Sequence, residues 1–389
     1  MGRLSSKSKI ACGVLAAIAL AGLVFYVLQL AGGLGTTGMN NSNSWGLYIA
    51  MFMFFVGLSA GGLIVASSAH VFGIESFKKV AVPAVITSIV CICCAGMFIL
   101  IDLGGVQRVW RLFTGPNPAS PLFWDVCVIS TYLVINVLDL IWLLKKDERK
   151  VEILSRVALP VAVLVHSVTA WIFGLQIAKA WYSAIMAPIF VASACDSGLA
   201  LLLIGLVALD AAGLFEFDRD LMKSLAGLLA VFIAVDAFLI GCECLTMAYP
   251  GAEEAAVFQQ MIFGRTAPFF WFEVIAGLLV PFLLLVFSKN RGKAPVVVAA
   301  SVLVVVGVCC KRMWLLFTSF IFPNIQGGNG ITLGTVEAQV DPACMWTYLA
   351  TYAPTVSEVA ISLGVISLGI LAFAVMARMF LKADSAVRK

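Results

Sequence analysis

Two adjacent cations, Lys311 and Arg312, stand inside an otherwise apolar stretch, VVVGVCCKRMWLLFTSFIF, which covers residues 304–322. A cation at the centre of a membrane helix costs roughly 2.5 to 3.5 kcal/mol on insertion scales. Such residues are therefore found where acidic side chains in a helix bundle, or a polar cavity, can receive them. There they can hold carboxylates ionised or stabilise an anion, and a cluster of this kind can also serve a proton path.

Acidic side chains recur in the other apolar stretches, and most of them fall at a similar predicted depth. The members are Asp102, Asp125, Asp196, Asp236, Glu243, Glu273 and Glu358. If the stretches cross a membrane in alternating directions, all of them except Asp236 lie in the outer half, in one layer with the two cations. Asp236 lies near the midplane without a charged neighbour in the sequence, so a neutral, hydrogen-bonded carboxyl is expected there. It would act either in a proton relay or as a contact between helices.

A purely structural interpretation stays open for several of these residues. Asp102, Arg111 and Glu358 could extend into the lipid headgroup region without further function. Glu243, Glu273 and the Lys311–Arg312 pair could form salt bridges that only hold helices together.

The elements that must position these residues are membrane helices. A content of 62% hydrophobic and 12% charged residues, with a mean hydropathy of +1.05, excludes a soluble domain of this length. Apolar runs of roughly 20 residues mark spans. Ten are predicted, at 10–31, 46–72, 80–102, 123–144, 156–178, 186–212, 222–248, 268–288, 294–322 and 355–381. The first run is too long for a signal peptide and lacks a cleavage site, so it is interpreted as a helix of a multi-pass, all-α protein of the cell membrane.

The distribution of Lys and Arg predicts the orientation. Nineteen of the 25 lie at the termini and in every second connection, against four in the alternate connections, and the last two are Lys311 and Arg312. Because cytoplasmic flanks attract these residues, both termini are predicted to be cytoplasmic. The longer connections (32–45, 103–122, 249–267 and 323–354) then lie on the outer face, where a partner would bind.

An internal repeat relates helices 2–5 to helices 6–9. Trp45 and Trp181 are each followed 17 residues later by a glycine, and SPLFWDV (120–126) matches APFFWFEV (267–274). The two halves are therefore predicted to be four-helix bundles in the same orientation, a parallel repeat. The predicted divisions are 1–44 (flanking helix and outer loop), 45–180 (first bundle), 181–322 (second bundle) and 323–389 (outer loop and C-terminal helix).

The histidines and cysteines argue against a metal cofactor in this chain. His70 and His166 fall at depths that differ by several helical turns, whereas a bis-histidine haem needs two histidines at one depth. The 11 cysteines lie almost entirely inside helices and show no CxxCxxC spacing for an iron–sulfur cluster. Free cysteine in such places is ordinarily a small apolar residue. No haem and no iron–sulfur cluster are expected, and no nucleotide-binding or hydrolase motif occurs.

Four stretches, in order, resemble the NrfD-like, polysulfide-reductase-type membrane subunits. They are WGLYIAMFMFFVGLSAGG (45–62), DLGGVQRVWRLFTGPNPASPLFWDV (102–126), GRTAPFFWFEVIAGLLVP (264–281) and YAPTVSEVAISLG (352–364). The likeness covers the chain from Trp45 to Gly364. The family loop commonly reads Gly-Arg-Pro where this chain has Gly105, Val106 and Gln107, which leaves Arg108 as the counterpart of the next basic residue.

The resemblance implies a membrane anchor that exchanges electrons with the quinone pool in anaerobic respiration. Its implied partners on the outer face are a four-cluster ferredoxin-like iron–sulfur subunit and a molybdopterin catalytic subunit, and no nucleic acid is expected. Its implied cofactor is a non-covalently bound menaquinone or menaquinol. Whether the chain itself oxidises quinol or only anchors its partners stays open.

A quinone site in the outer half needs hydrogen-bond donors, protonatable groups and aromatic walls. The first-bundle candidates are Trp45, Tyr48, Asp102, Arg108, Trp124, Asp125 and Tyr132. The proton-path or second-bundle candidates are His166, Asp196, Asp236, Glu243, Glu273, Lys311 and Arg312; His70 and Asp139, which lie deeper, could only serve a proton path. Two other hypotheses remain: a secondary transporter with a midplane acidic site, which would concentrate polar residues near the midplane, and a purely structural anchor, which would bind no quinone.

Overall fold

The computed structural model describes residues 6–39, 43–176, 181–249, 255–321 and 352–387. Ten of its helices are long and apolar enough to cross a membrane. They are α1 (Ser6–Gly32), α2 (Leu47–Val71), α3 (Ala81–Asp102), α4 (Pro121–Lys145), α5 (Glu148–Gly174), α6 (Met186–Ala211), α7 (Arg219–Ala248), α8 (Ala267–Val286), α9 (Ala294–Ile321) and α10 (Val356–Val387). The predicted all-α fold with ten spans is confirmed for the described residues. Most of the predicted outer loop 323–354, with Cys344, falls outside them, as does Lys179.

The connection between α4 and α5 corrects one predicted boundary. Lys146 adopts a left-handed conformation with φ of 55°, and α5 begins at Glu148, well before the predicted start at 156. The Asp147 side chain caps α5 by accepting a hydrogen bond of 3.2 Å from the backbone N–H of Lys150. Hydrogen bonding to Lys150 lowers the pKa of the Asp147 carboxyl. Hydropathy did not predict residues 148–155 of α5, because this segment is polar and precedes the apolar run.

The centre of the molecule is α2, the most buried of the ten spans, which packs on α3, α5 and α6. Its contact with α6 is a glycine crossing. A Cβ atom on Gly61 would lie 2.3 Å from the carbonyl oxygen of Ala194, and one on Gly198 would lie 2.5 Å from the Cα of Gly61. Only glycine permits this approach, which is the small-residue packing common between membrane helices.

The helices of each predicted bundle contact one another. In the first, α4 packs on α5 and α3; in the second, α9 packs on α6 and α8, and α7 packs on α6 and α8. Trp45 and Trp181, which the sequence repeat aligns, stack on each other with ring centroids 6.1 Å apart. The parallel repeat and the orientation of the termini stay predictions.

The helix α8 contains a π-helical segment, Phe272–Leu279, between two α-helical parts. Within it, Gly277 packs against Gly307 of α9, where an added Cβ would lie 2.7 Å from the neighbouring Cα. Such segments are often found at functional sites, and Glu273 lies in this one.

The flanking helices α1 and α10 pack mainly against each other, with Gly22 against Gly364. The helix α10 also contacts α3, which brings the pair against the first bundle.

Candidate functional site

The most concentrated group of buried charges lies between α7, α8 and α9. Lys311 Nζ donates to both oxygens of Asp236, at 2.8 Å from Oδ1 and 3.1 Å from Oδ2, and lies 3.6 Å from Glu273 Oε1. All three side chains are buried. Asp236 has no charged neighbour in the sequence, but the long side chain of Lys311 reaches it from another helix. We refer to Lys311, Asp236 and Glu273 as the ion cluster.

The second oxygen of Glu273 is held by a tryptophan. Trp314 Nε1 donates a hydrogen bond to Glu273 Oε2, and the edge of Trp314 packs on Phe270 with ring centroids 5.7 Å apart. Trp314 lies three residues after Lys311 on α9, so the two side chains share one face of that helix. The carboxylate therefore has a cation on one oxygen and a neutral donor on the other.

A further carboxyl, Asp196 of α6, lies close enough to the ion cluster to interact electrostatically with Asp236 and Lys311. It is fully buried, and neither of its side-chain oxygens has a hydrogen-bond partner among the described residues. Buried polar atoms without a partner are rare and often mark an internal water or a site of chemistry. The structure thus brings together four of the second-bundle candidates, namely Asp196, Asp236, Glu273 and Lys311.

Arg312 points elsewhere, because consecutive helical residues project about 100° apart. Its Nη2 donates to Ser193 Oγ of α6 at 2.6 Å, and its guanidinium carbon lies 3.9 Å from the ring centroid of Phe190. A Cβ added to Gly57 of α2 would lie 3.8 Å from Nη2. The Arg312 side chain is fully buried at the seam between the two bundles, and its Nε and Nη1 have no hydrogen-bond partner among the described residues.

A cavity of about 40 Å³ connects the ion cluster to Glu243. Its wall includes Glu243, Lys311, Trp314 and Thr318. Glu243 Oε2 accepts a hydrogen bond of 2.9 Å from Ser183 Oγ, in the connection between α5 and α6. Since about 10–15 Å³ is enough for one water molecule, the cavity is large enough for water between Lys311 and Glu243. Glu243 thus lies beside the ion cluster, across a water-sized space.

An aromatic cluster covers the outer part of the seam. Trp181 is its centre: it stacks on Trp45, and it contacts the edges of Phe173 and Phe320 at centroid distances of 5.3 Å and 5.6 Å. Phe173 in turn stacks on Phe190, beneath Arg312. Trp45 therefore packs where helices of the two predicted bundles meet.

The other first-bundle candidates do not converge on one site. Tyr48 donates a hydrogen bond of 2.6 Å to Gln29 of α1, and Gln29 donates to the carbonyl of Ile101 at 3.2 Å. Asp125 accepts a hydrogen bond of 2.6 Å from Thr169 of α5. These contacts lie on different helix pairs, so the two side chains are held separately.

Tyr132 is fully buried at the contact of α2, α3 and α4. Its hydroxyl lies 2.7 Å from Ser88 Oγ and 3.2 Å from Ser59 Oγ. The three hydroxyl groups form a small network that sequence analysis missed, because serine in an apolar helix is common and carries no charge signal.

Asp102 is the last residue of α3, Arg108 lies in the connection that follows it, and Trp124 lies in the first turn of α4. Trp124 and Arg108 are exposed, and Trp124 Nε1 donates to the carbonyl of Pro118 at 2.8 Å. Asp102 is half-buried, with one oxygen enclosed and without a hydrogen-bond partner among the described residues. Arg108 and Trp124 therefore lie at the protein surface.

The deeper candidates are also separate from one another. His166 is buried, and its Nδ1 lies 3.1 Å from the carbonyl oxygen of Ala162, while Nε2 has no partner among the described residues. It is near enough to Arg312 for an electrostatic interaction. Asp139 is buried, and His70 is half-buried with Nδ1 3.0 Å from the carbonyl oxygen of Ala66.

Glu358 is fully buried in a network that joins three segments of the chain. It accepts hydrogen bonds from the Tyr352 hydroxyl at 2.6 Å and from the backbone N–H groups of Gly38 and Thr355, both at 2.8 Å. Tyr352 in turn accepts from the N–H of Leu47 at 2.6 Å. Burial and the hydrogen bond to Glu358 raise the pKa of Tyr352. We refer to this arrangement as the outer network; Tyr352 was not predicted.

Within the part of the chain that the structure describes, ten apolar helices long enough to cross a membrane define a multi-pass integral membrane protein. Residues 35–324 match the family model described as polysulphide reductase, NrfD. The chain belongs to the NrfD family.

Three relatives span nearly its whole length. A putative membrane subunit of a dimethyl sulfoxide reductase from Halobacterium salinarum is 36% identical, over 92% of this chain and 88% of the relative. An Hdr-like menaquinol oxidoreductase integral membrane subunit from Archaeoglobus fulgidus is 30% identical, over 94% and 91%. A selenate reductase subunit from Mesobacillus selenatarsenatis is 28% identical, over 94% and 92%. All three are described as subunits of a reductase or oxidoreductase, and the first two as membrane subunits.

Proposed function

We propose that this chain is the membrane-anchoring, quinone-interacting subunit of a respiratory oxidoreductase complex in the cell membrane. It passes electrons between menaquinol and an iron–sulfur subunit on the outer face, which serves a molybdopterin catalytic subunit. The observation that carries the proposal is the buried ion cluster in the outer half of an NrfD-family chain, since such groups inside a membrane are costly and accompany proton or ion chemistry.

The protons of the reaction need protein groups. Oxidation of menaquinol to menaquinone releases two electrons and two protons, and the electrons leave toward the partner subunit. In the second bundle, Glu273 and Asp236 are carboxylates that can accept a proton, and Lys311 stabilises their ionised forms. The water-sized cavity toward Glu243 provides a route by which a proton can leave that cluster.

The first bundle supplies a second set of candidates. Asp125, with Thr169 as its donor, is a buried protonatable group one turn from the start of α4. Tyr48 and Tyr132 are buried hydroxyl donors. Because these side chains have separate partners, a quinone in the first bundle would contact only part of the predicted set.

The test is a titration of the purified chain, in lipid and together with the subunits encoded beside it, with a fluorescent menaquinol analogue whose quenching reports binding. It is repeated with Asp125→Asn and with Arg312→Gln, each checked for folded protein by size-exclusion chromatography. Saturable binding weakened only by Asp125→Asn assigns the quinone to the first bundle. Binding weakened by Arg312→Gln assigns a role to the seam and the second bundle.

Folded protein without saturable binding would contradict the proposal and favour a structural anchor. A secondary transporter would instead show uptake of a solute into proteoliposomes that depends on Asp236 and needs no partner subunit.

A further inference from the structure

The membrane-facing side of the second bundle carries an open apolar groove. It runs between α7, from Ile233 to Cys244, and α8, from Phe270 to Phe282, and its volume is about 680 Å³. Pockets for small molecules commonly measure roughly 300–1,000 Å³. We refer to it as the lateral groove.

The lateral groove opens toward lipid. Phe238 and Leu279 on its two sides are 69% and 51% exposed, and its lining contains no charged side chain among the described residues. The floor includes Val274 and Leu278 of the π-helical segment of α8. An occupant must therefore be apolar along this length and must enter from the membrane.

The lateral groove shares a wall with the cavity beside the ion cluster. Ile240 and Cys244 line both, and the far side of the cavity is formed by Lys311, Trp314 and Glu243. These two side chains of α7 thus line both an apolar surface open to the membrane and a cavity whose wall includes hydrogen-bonding and protonatable side chains. A ligand suited to both has a long apolar tail and a small head with hydrogen-bond acceptors.

The outer end of the lateral groove is bordered by a surface helix, Ala255–Phe263, which contributes Phe258 and Ile262. Trp271 ties this helix to α8 by donating a hydrogen bond of 2.9 Å to the carbonyl of Ile262. Apolar side chains thus continue to the outer end, where a phospholipid would need space for its charged headgroup. This favours a ligand that lies wholly within the apolar layer.

We infer that the lateral groove binds the isoprenoid tail of a quinone, with its head directed to Ile240 and Cys244, toward the side of Lys311, Trp314 and Glu243. This inference rests on the proposed function, since its occupant is the quinone, and it assigns a quinone-access site to the second bundle. Only binding is assigned; the tail supplies affinity through burial of its methyl and methylene groups.

The test fills the groove from α7. A Cβ on Gly241 meets no atom within 4 Å, so Gly241→Trp places an indole in the groove without a backbone clash. Ala237→Phe is a second filling variant on the same helix face. The matched control is Val306→Trp, at a lipid-facing position of α9 that is 42% exposed and outside the groove. Each variant is used in the assembled complex and checked for monodispersity.

Binding of a long-tailed menaquinol and of a tail-less naphthoquinol is measured by fluorescence quenching. Both filling variants should weaken the long-tailed ligand by about tenfold or more, because burial of only a few carbon groups contributes that much. The filling variants should bind the tail-less ligand with wild-type affinity. The Val306→Trp control should bind the long-tailed ligand with wild-type affinity.

One outcome is that the wild type binds saturably while the filling variants keep its affinity for the long-tailed ligand. That result would overturn the inference that the groove binds the tail and would leave the proposed function intact. Absence of saturable binding by the wild type would overturn both. A phospholipid that copurifies with the wild type and is displaced by Gly241→Trp, without change in quinol affinity, would also overturn the inference.

Discussion

Lys311 and Asp236 form a salt bridge between α9 and α7, with Nζ 2.8 Å from Oδ1 and side-chain exposures of 2% and 0%. The pair joins helices that the chain connects only through α8 and its loops. In a low-dielectric interior the desolvation of the two charges opposes their Coulombic attraction. Such a pair therefore stabilises the fold only when its hydrogen-bond geometry is good. Removing one partner is therefore more damaging than removing both.

Lys311→Met should destabilise the folded protein by about 3–5 kcal/mol, because it leaves Asp236 and Glu273 buried without a cation. The double variant Lys311→Met with Asp236→Asn should recover much of that loss. Thermal unfolding in detergent, followed by tryptophan fluorescence, measures both. The control is Lys223→Met, which removes a cation from an exposed pair with Asp220, worth at most about 1 kcal/mol. A double variant less stable than Lys311→Met would contradict this account.

Trp314→Phe should destabilise the protein by roughly 1.5–3 kcal/mol, the usual contribution of a hydrogen bond to a charged group, since Glu273 Oε2 loses its donor. Trp124→Phe removes an exposed indole hydrogen bond to a backbone carbonyl and should have a smaller effect. Equilibrium unfolding of the two variants side by side is the measurement. Equal losses would show that the Trp314–Glu273 bond contributes nothing specific.

Gly61→Ala should separate α2 from α6, because its Cβ would lie 2.3 Å from the carbonyl oxygen of Ala194, and backbone atoms cannot move aside cheaply. Overpacking of this kind costs roughly 1–3 kcal/mol. Gly96→Ala on α3, where a Cβ meets nothing within 4 Å, is the control and should be neutral or slightly stabilising. Melting temperatures of the two purified variants decide, and a neutral Gly61→Ala would refute the close crossing.

Tyr352→Phe should loosen the outer network, because the Leu47 N–H loses its acceptor and Glu358 loses a donor. The loss of stability should be about 1–3 kcal/mol, as for other buried groups left without a partner. Hydrogen exchange read by mass spectrometry should speed up at Gly38, Leu47 and Thr355. Tyr182→Phe, at a tyrosine that is 51% exposed, should leave those amides unchanged; equal exchange in both variants would rule out the role given to Tyr352.

The ten spans were predictable because each is an apolar run long enough to cross a bilayer, and hydropathy measures that property directly. The helix ends were less predictable. The start of α5 at Glu148 depends on the cap at Asp147, which lies in a charged loop and outside the apolar run.

Lys311 and Glu273 were predicted to lie in one layer, whereas Asp236 was predicted near the midplane, and no pairs were predicted. Asp236 is twelve residues from the C-terminal end of α7 at Ala248, and Lys311 is ten residues from the C-terminal end of α9 at Ile321, so the two positions are similar along their helices. Lys311 and Arg312 are neighbours in the chain but bond to different helices, α7 and α6. The rotation of α9 about its axis determines which helix each side chain reaches.

The separation of the first-bundle candidates could not be predicted from the sequence. A span that is apolar on all sides gives no signal for the rotation of its helix. Tyr48 faces Gln29, a neutral residue with no charge signal, and Trp45 faces its repeat counterpart, Trp181. A glutamine within the apolar run of α1 was the one available clue to the first of these contacts.

The packing of α1 on α10 has a consequence for how the protein is made. The helix α1 has its main contact, Gly22 against Gly364, with α10, and eight spans separate the two in the chain. During synthesis the small-residue face of α1 therefore stays uncovered until α10, the ninth span after it, has been inserted. Docking of α1 on α10 is thus a late step of assembly.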